Sequence, residues 1–191
     1  MIIENNNINI KISKLAVLTS GGDAPGMNAA IRSVARSCSH YGIQCFGVSR
    51  GYQGLIEGKI KPLGTRSVKN ILNKGGTILK SARSKEFMTK EGRLKAHETL
   101  KNQEINNLVV IGGDGSFTGG YIFEKEFGVS VVGIPGTIDN DIFGTDSTVG
   151  YDTALNTVVE AIDKIRDTAI SHNRLFFVEV MGKDAGYIAL R

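Results

Sequence analysis

Short apolar runs alternate with longer amphipathic segments along most of the chain. The apolar runs predict buried strands at 15–18, 43–48, 108–111, 129–134 and 175–181. Apolar residues three or four positions apart predict helices at 24–41, 68–72, 91–103, 116–127 and 153–168. Because continuous apolar strands separated by helices indicate a parallel sheet covered on both faces, we expect an α/β fold. Its form should be a three-layer sandwich with a mainly parallel, doubly wound sheet.

The composition is that of a folded chain without a membrane partner. Hydrophobic residues make up 41% and charged residues 22% of the 191 positions, and the apolar runs are far shorter than the roughly 20 residues of a membrane span. The net charge of +4 is spread along the chain, so we expect no nucleic-acid partner either. Residues 1–13 form a polar extension without the pattern of a secretory signal, and Cys38 and Cys45 form no metal-binding pair. We therefore expect a cytoplasmic protein.

Glycine changes the picture most, since 24 of the 191 residues are glycine against an average of about 7%. Four glycine-bearing loops stand out, and three of them begin at the end of a predicted strand. They span 19–28, 75–77 (leading into 81–83), 112–116 and 135–141. The carboxyl ends of parallel strands share one edge of a sheet, so these loops should converge there. Glycines let backbone N–H groups approach phosphate oxygens, which predicts a phosphate-binding site.

The loops also carry side chains suited to phosphoryl transfer. Asp114 can hold Mg²⁺, Ser116 can meet a phosphate oxygen, and Arg83 can neutralise charge on the phosphates. The pattern leaves open whether Asp139 or Asp141 takes the proton of an acceptor hydroxyl. The chain has neither Gly-x-x-x-x-Gly-Lys-Ser/Thr nor Gly-x-Gly-x-x-Gly, which disfavours an ordinary P-loop enzyme and an ordinary dehydrogenase.

Four motifs together carry a resemblance to a known family. They are Leu18–Asn28 (LTSGGDAPGMN), Val110–Ser116 (VIGGDGS), Pro135–Asp141 (PGTIDND) and Val178–Gly182 (VEVMG). From about Lys14 to Arg191 the chain resembles bacterial ATP-dependent 6-phosphofructokinases, glycolytic kinases that transfer the terminal phosphate of ATP to the 1-hydroxyl of fructose 6-phosphate. The resemblance implies that 14–191 is the N-terminal, ATP-binding portion of such an enzyme. The family's second domain is then missing or truncated, and residues 185–191 look like the cut first turns of a helix.

The resemblance also implies a role for each matching residue. Implied ATP contacts are Gly22, Arg83, Ser84, Gly113, Asp114, Gly115 and Ser116. The cofactor Mg²⁺ would sit on Asp114. Implied contacts to the sugar phosphate are Thr137, Ile138, Asp139, Arg174, Met181, Gly182 and Lys183. Asp139 would be the general base, Arg83 a second catalytic residue, and Arg174 would reach a neighbouring subunit. Arg32, Arg36 and Arg166 match positions that bind a nucleotide effector such as ADP in an allosteric homotetramer.

Three departures from the family pattern limit these implications. Lys183 replaces a family arginine and cannot repeat a bidentate guanidinium contact. An effector-site arginine is displaced by one residue around Arg66, which puts allosteric control in doubt. Without the second domain the sugar site is incomplete, so we expect residues 1–191 alone to bind Mg-ATP weakly and to be inactive.

Two rival interpretations lead to different functions. Pyrophosphate-dependent relatives tend to carry Asp and Lys where this chain has Gly115 and Gly136, so we expect ATP to be the phosphate donor. A non-catalytic regulatory subunit would have lost the base or the metal carboxylate, whereas Asp139 and Asp114 are both present.

Overall fold

A computed structural model describes residues 12–182 and 184–191, so most of the predicted polar extension lies outside the described residues. Within that part of the chain, six strands form one sheet in the order β3-β2-β1-β4-β5-β6. They are β1 Lys14–Thr19, β2 Gln44–Val48, β3 Ile60–Pro62, β4 Asn107–Gly112, β5 Ser130–Thr137 and β6 Val149–Gly150. Neighbouring strands pair in parallel except β3, which lies antiparallel on the edge beside β2. The order of the strands reverses between β1 and β4, as in doubly wound sheets that bind ligands at this point.

Helices cover both faces of the sheet. They are α1 Met27–His40, α2 Gly51–Ile56, α3 Lys90–Asn102, α4 Asp114–Phe127, α5 Tyr151–His172 and α6 Tyr187–Leu190, with a 3₁₀ turn at Glu86–Met88. Among the described residues, no helix is both long and apolar enough to cross a membrane.

The alternation of side chains along β1 divides the core into two halves. Ala16 and Leu18 pack in one cluster with residues of α2, α3 and α4, including the fully buried Phe123. Val17 points to the other face and packs in a second cluster with Ile31 of α1. Strand residues alternate between faces, so β1 is buried from both sides. The predicted three-layer α/β sandwich with a mainly parallel sheet is confirmed.

Two predicted elements are wrong. Residues 68–72 form turns instead of a helix, although Val68 and Ile71 are buried. Their three-residue spacing reflects burial of a turn against α1, and spacing over so short a segment cannot distinguish a turn from a helix. Residues 175–181 lie outside any strand, with Leu175 and Phe177 largely exposed. An apolar run forms a strand only where another strand pairs with it. Among the described residues, no strand pairs with 175–181.

Several element boundaries also differ from the predictions, and three short elements were missed. Helix α1 begins at Met27 because Gly26 has a left-handed φ of 94°. Helix α4 begins at Asp114, and β5 runs on to Thr137, so both residues belong to regular elements. The missed elements are α2, β3 and β6. Two glycines weaken the helical signal of α2, yet a Cβ on Gly54 would collide with a neighbouring backbone carbonyl.

Arg93 joins α3, α4 and the 3₁₀ turn. Its Nε and Nη2 donate to the two carboxylate oxygens of Glu126 at 2.6 and 2.8 Å. Its Nη1 donates to the carbonyl oxygens of Phe87 and Met88 at 3.1 and 2.8 Å. The hydrogen bond from Arg93 is the main reason that the pKa of Glu126 is lowered. This bidentate pair therefore favours the folded state while Glu126 is ionised.

The Arg93–Glu126 pair predicts how stability depends on pH. Since the pKa of Glu126 is depressed in the folded state, its contribution is present above the pKa of the unfolded chain and is lost as pH falls through the folded pKa. Glu126→Gln should therefore destabilise the protein at neutral pH and flatten the loss of stability on acidification. Urea denaturation at several pH values from about 7 down to about 3 measures this, because the loss begins near the unfolded-chain pKa of about 4.3 and continues below it. The exposed Glu98→Gln on α3 is the matched control, and equal pH profiles for wild type and Glu126→Gln would contradict the assignment.

Candidate active site

The register of the parallel strands brings three of the four glycine loops together. Thr19 pairs with Ile111, and Gly112 pairs with Pro135, so the loops after β1, β4 and β5 leave the sheet at the same level. A Cβ on Gly112 would lie 2.6 Å from the carbonyl oxygen of Ser20. Only glycine permits this approach, and the predicted convergence of these loops at one edge is confirmed.

The first turn of α4 is open toward this edge. Its N-cap, Gly113, offers no side-chain hydrogen bond, so the first N–H groups lack the acceptor that a Ser or Asp cap would supply. No atom outside the adjoining backbone lies within 4 Å of a Cβ built on Gly115, and the same is true of Gly22 in the first loop. Free amides at the positive end of a helix dipole suit a phosphate group.

The hydroxyl of Ser116 sits deeper, between the first and third loops. Ser116 is buried, and a Cβ on Gly21 would lie 3.6 Å from its Oγ. Its carbonyl oxygen accepts a 2.8 Å hydrogen bond from the hydroxyl of Tyr52 on α2. Burial raises the pKa of Tyr52, so this phenol stays protonated and donating near neutral pH. Tyr52 therefore supports the first turn of α4 from below, a role that the sequence did not reveal.

The second loop lies against the first loop. The hydroxyl of Ser81 donates to the carbonyl oxygen of Gly21 at 2.5 Å, which places Arg83 two residues from that contact. The side chain of Arg83 is exposed. Ser84 turns inward instead, since its hydroxyl donates to Gln53 at 2.7 Å and accepts from the backbone N–H of Phe87 at 3.1 Å. Arg83 is thus available to a ligand, while the Ser84 hydroxyl is engaged in the fold.

The fourth loop holds Asp139 in a defined orientation. The backbone N–H of Asp139 donates to Oγ1 of Thr137 at 3.2 Å. The buried hydroxyl of Thr148 donates to the carbonyl oxygen of Thr137 at 2.7 Å. The backbone N–H of Thr148 donates to Oδ1 of Asn140 at 2.8 Å, and Asn140 takes a left-handed φ of 50°. Asp139 is half-buried at the end of this braced loop, whereas Asp141 is exposed.

The segment containing Gly182 meets the fourth loop at the carboxylate. A Cβ on Gly182 would lie 3.7 Å from Oδ1 of Asp139. Met181 beside it is largely exposed, and Lys183 lies outside the described residues. Arg174 follows the left-handed C-cap of α5 and has an exposed side chain. The structure thus places Gly182 beside Asp139, while the role of Arg174 stays a prediction.

The three arginines predicted for an effector site have different surroundings. Arg32 is half-buried on α1 and donates to the carbonyl oxygen of Val68 at 2.8 Å, so it supports the 63–79 segment. Arg36 is exposed one turn further along α1. On α5, Nη1 of Arg166 lies 3.4 Å from Oδ1 of Asp163. The effector role of all three stays a prediction.

The carboxylates of the site limit how a metal can be held. Among the described residues, no three or more His, Cys, Asp or Glu side chains cluster as a metal site. Asp114 is a single exposed carboxylate beside the open Gly115. Mg²⁺ is commonly held by one or two carboxylates together with substrate phosphates and water, so Asp114 fits this ion only in combination with a phosphate ligand.

The fold and these loops define a doubly wound α/β domain with glycine loops gathered at one edge of its sheet. Residues 14–191 match the family model described as phosphofructokinase. The chain belongs to the phosphofructokinase family.

Individual relatives agree with this family. The chain is 61% identical over 176 residues to ATP-dependent 6-phosphofructokinase 2 of Bacteroides thetaiotaomicron, covering 92% of this chain and 54% of the relative. It is 58% identical over 179 residues to ATP-dependent 6-phosphofructokinase 1 of Thermus thermophilus, covering 94% of this chain and 56% of the relative. The chain therefore spans about half the length of these curated relatives. The solved structure of phosphofructokinase from Saccharomyces cerevisiae superposes with a TM-score of 0.90 at 44% identity, over 93% of this chain and 27% of that one.

The bracing of the fourth loop by Thr148 can be measured. Thr148→Val keeps the shape of the side chain but removes the buried donor to the Thr137 carbonyl, so stability should fall by about 1–2 kcal/mol. Urea denaturation measures the loss. Thr157→Val is the matched control, because its hydroxyl bonds the Thr153 carbonyl on an exposed helix face, and it should change stability by less than about 0.5 kcal/mol. Equal losses in both variants would show that Thr148 does not brace the loop.

Proposed function

We propose that the protein acts as an ATP-dependent 6-phosphofructokinase, transferring the terminal phosphate of Mg-ATP to the 1-hydroxyl of fructose 6-phosphate. One observation carries the proposal: the sheet edge that gathers the open glycine loops also holds the oriented carboxylate of Asp139. The relatives at 61% and 58% identity carry the name of this activity, which supports the same conclusion.

The donor phosphates would lie on the open backbone of the first and third loops. The amides near Gly22 and at the start of α4 offer donors with no competing side chain, and the dipole of α4 favours negative charge there. Arg83 is exposed beside them and would neutralise charge on the transferring group. Asp114 would hold Mg²⁺, which when bound supplies further neutralisation of the phosphates.

Asp139 would act as the general base. As the 1-hydroxyl oxygen forms its bond to the terminal phosphorus, the bond from that phosphorus to the bridging oxygen of ADP breaks. The hydroxyl proton passes to the carboxylate of Asp139. The Thr137 hydroxyl and the Thr148 brace support this role, because they hold the backbone that carries the Asp139 carboxylate. Thr137, Ile138, Met181, Gly182 and Lys183 are proposed to contact the sugar, with Arg174 acting across a subunit boundary.

The packing around Gly136 supports ATP over pyrophosphate. A Cβ there would lie 3.1 Å from Ile111 Cγ2 and 3.3 Å from Met27 Cε, so a long side chain requires the core to shift. Gly115 opens onto free space beside Asp114, which leaves room for the rest of a nucleotide.

The proposals for assembly and regulation rest on the resemblance to bacterial ATP-dependent 6-phosphofructokinases. We propose a cytoplasmic homotetramer with a nucleotide effector such as ADP bound near Arg36 and Arg166. The exposure of both side chains supports this, whereas the bond of Arg32 to the Val68 carbonyl supports a structural contribution from that residue.

The role of Asp139 is tested by substitution in the complete protein. Asp139→Asn keeps the shape but removes the base, so kcat should fall by about 10²–10⁴-fold, the usual contribution of general base catalysis. The kcat of Asp139→Ser should fall by a factor in the same range. The affinity of both variants for Mg-ATP should change little. Asp167→Asn on the exposed side of α5 is the control. A kcat above about a tenth of the wild-type value in Asp139→Ser would show that another group is the base.

The donor is tested by comparing initial rates with Mg-ATP and with magnesium pyrophosphate at equal concentration. We expect faster turnover with Mg-ATP, because Gly115 and Gly136 match the space and packing of an ATP site. Faster turnover with pyrophosphate would refute the assignment of ATP as donor.

A further inference from the structure

The segment that delivers Arg83 has no regular structure of its own. Residues 63–85 connect β3 to the 3₁₀ turn through turns and irregular backbone. Because residues 63–85 contain no helix or strand, no helical or sheet hydrogen bonds fix the course of their backbone. Side chains from other elements must therefore determine where Arg83 lies relative to the first loop.

Asn28 makes three hydrogen bonds to this segment. It is the second residue of α1 and is 1% exposed. Its Nδ2 donates to the carbonyl oxygens of Lys74 and Gly75 at 2.9 and 3.2 Å. Its Oδ1 accepts from the backbone N–H of Ile78 at 2.8 Å. The amide of Asn28 thus bonds three backbone groups of one distant segment, which a Ser or Asp cannot match.

Further polar anchors of this segment come from the first loop, while Arg32 bonds the Val68 carbonyl and the backbone N–H of Arg50 donates to the carbonyl oxygen of Leu79 at 2.8 Å. The buried hydroxyl of Thr19 donates to the carbonyl oxygen of Lys80 at 2.8 Å and lies 3.0 Å from the hydroxyl of Thr77. Ser81 bonds the Gly21 carbonyl, as described above. Residues 74–81 are therefore docked on the unit formed by the end of β1, the first glycine loop and the start of α1.

We infer that Asn28 is a positioning residue that aligns Arg83 with the phosphate-binding amides of the first loop. The inference rests on the proposed function. Asn28 is too deeply buried to touch substrate, so it acts through the segment that it holds. If residues 74–81 move, the guanidinium of Arg83 and the amide of Gly22 no longer face the same phosphate. Displacements of about 1 Å are enough to lower phosphoryl-transfer rates strongly.

The test is a double-mutant cycle in the complete protein. Asn28→Asp keeps the size but replaces two donated hydrogen bonds with a carboxylate facing two carbonyl oxygens. Its kcat/KM for ATP should fall about 10- to 100-fold, with little change in the KM for fructose 6-phosphate. In an Arg83→Ala background the same substitution should lower kcat/KM by less than about 2-fold, because Asn28 acts through Arg83.

A matched control separates positioning from stability. Asn107 donates its amide to the Lys14 carbonyl at 3.2 Å, at the amino end of the sheet. Asn107→Asp should lower the denaturation midpoint without changing kcat/KM for ATP. Equal losses for Asn28→Asp in the wild-type and Arg83→Ala backgrounds, or an equal loss in kcat/KM for Asn107→Asp, would overturn the inference.

Asn28→Ser retains a hydroxyl donor and is the milder variant if Asn28→Asp does not fold. The same double-mutant cycle is then applied to Asn28→Ser.

Calorimetric titration with Mg-ATP distinguishes failure of this inference from failure of the proposed function. Wild type that binds Mg-ATP without phosphorylating fructose 6-phosphate would contradict the proposed function only. Asn28 variants should bind Mg-ATP at least about 5-fold more weakly than wild type, and this difference should disappear in the Arg83→Ala background. Unchanged affinity in folded Asn28 variants would refute the role of Asn28 whatever the acceptor is.

Discussion

Parallel pairing of β4 with both of its neighbours determines where three of the four glycine loops of the candidate site begin. Thr19 and Ile111 are neighbours on one side, and Gly112 and Pro135 are neighbours on the other. Because side chains alternate between faces, this register is held by both halves of the core, and a slip of one residue would reverse the faces of a whole strand. Gly112 at the end of β4 then lets its backbone lie closer to the Ser20 carbonyl than a residue with a Cβ could. The edge at which phosphate is proposed to bind is thus a consequence of how the core packs.

Buried polar side chains convert this shared edge into a site with fixed geometry. Asn28 docks the second loop, Thr148 braces the fourth, and Tyr52 supports the first turn of α4. Each bonds a backbone group at least 11 residues away in sequence, so its loss would leave a buried donor or acceptor unpaired. The side chains proposed to meet the ligand, Arg83 and Asp114, are by contrast exposed and free to respond to charge. Buried hydrogen-bonded anchors beneath exposed charged side chains are the arrangement expected where catalysis depends on positioning.

How much the sequence predicts depends on the range of the interactions involved. Strands β1 and β4 were predicted correctly because burial on both faces makes each a continuous apolar run. Strand β5 was also predicted from its apolar run, although Val132 within it is exposed. The run at 175–181 looks the same but lies outside any strand, since pairing depends on partners that a local pattern does not contain. The glycine loops were recognised from their motifs, and their convergence follows from parallel pairing. The contacts of Asn28 and Tyr52 join residues 46 to 64 positions apart, and no local pattern distinguishes them from other buried polar side chains.

The central claim is that the loops at this sheet edge together form one nucleotide-binding surface. Hydrogen–deuterium exchange of the complete protein, followed by mass spectrometry with and without Mg-ATP, tests it most directly because exchange reports on the backbone amides themselves. The account predicts slower exchange in peptides covering 19–28, 74–84 and 112–118 when Mg-ATP is added. Exchange in the control segment 43–48 should stay unchanged, apart from the residues at its carboxyl end. Protection confined to other regions, or no protection of these three segments at saturating Mg-ATP, would contradict it.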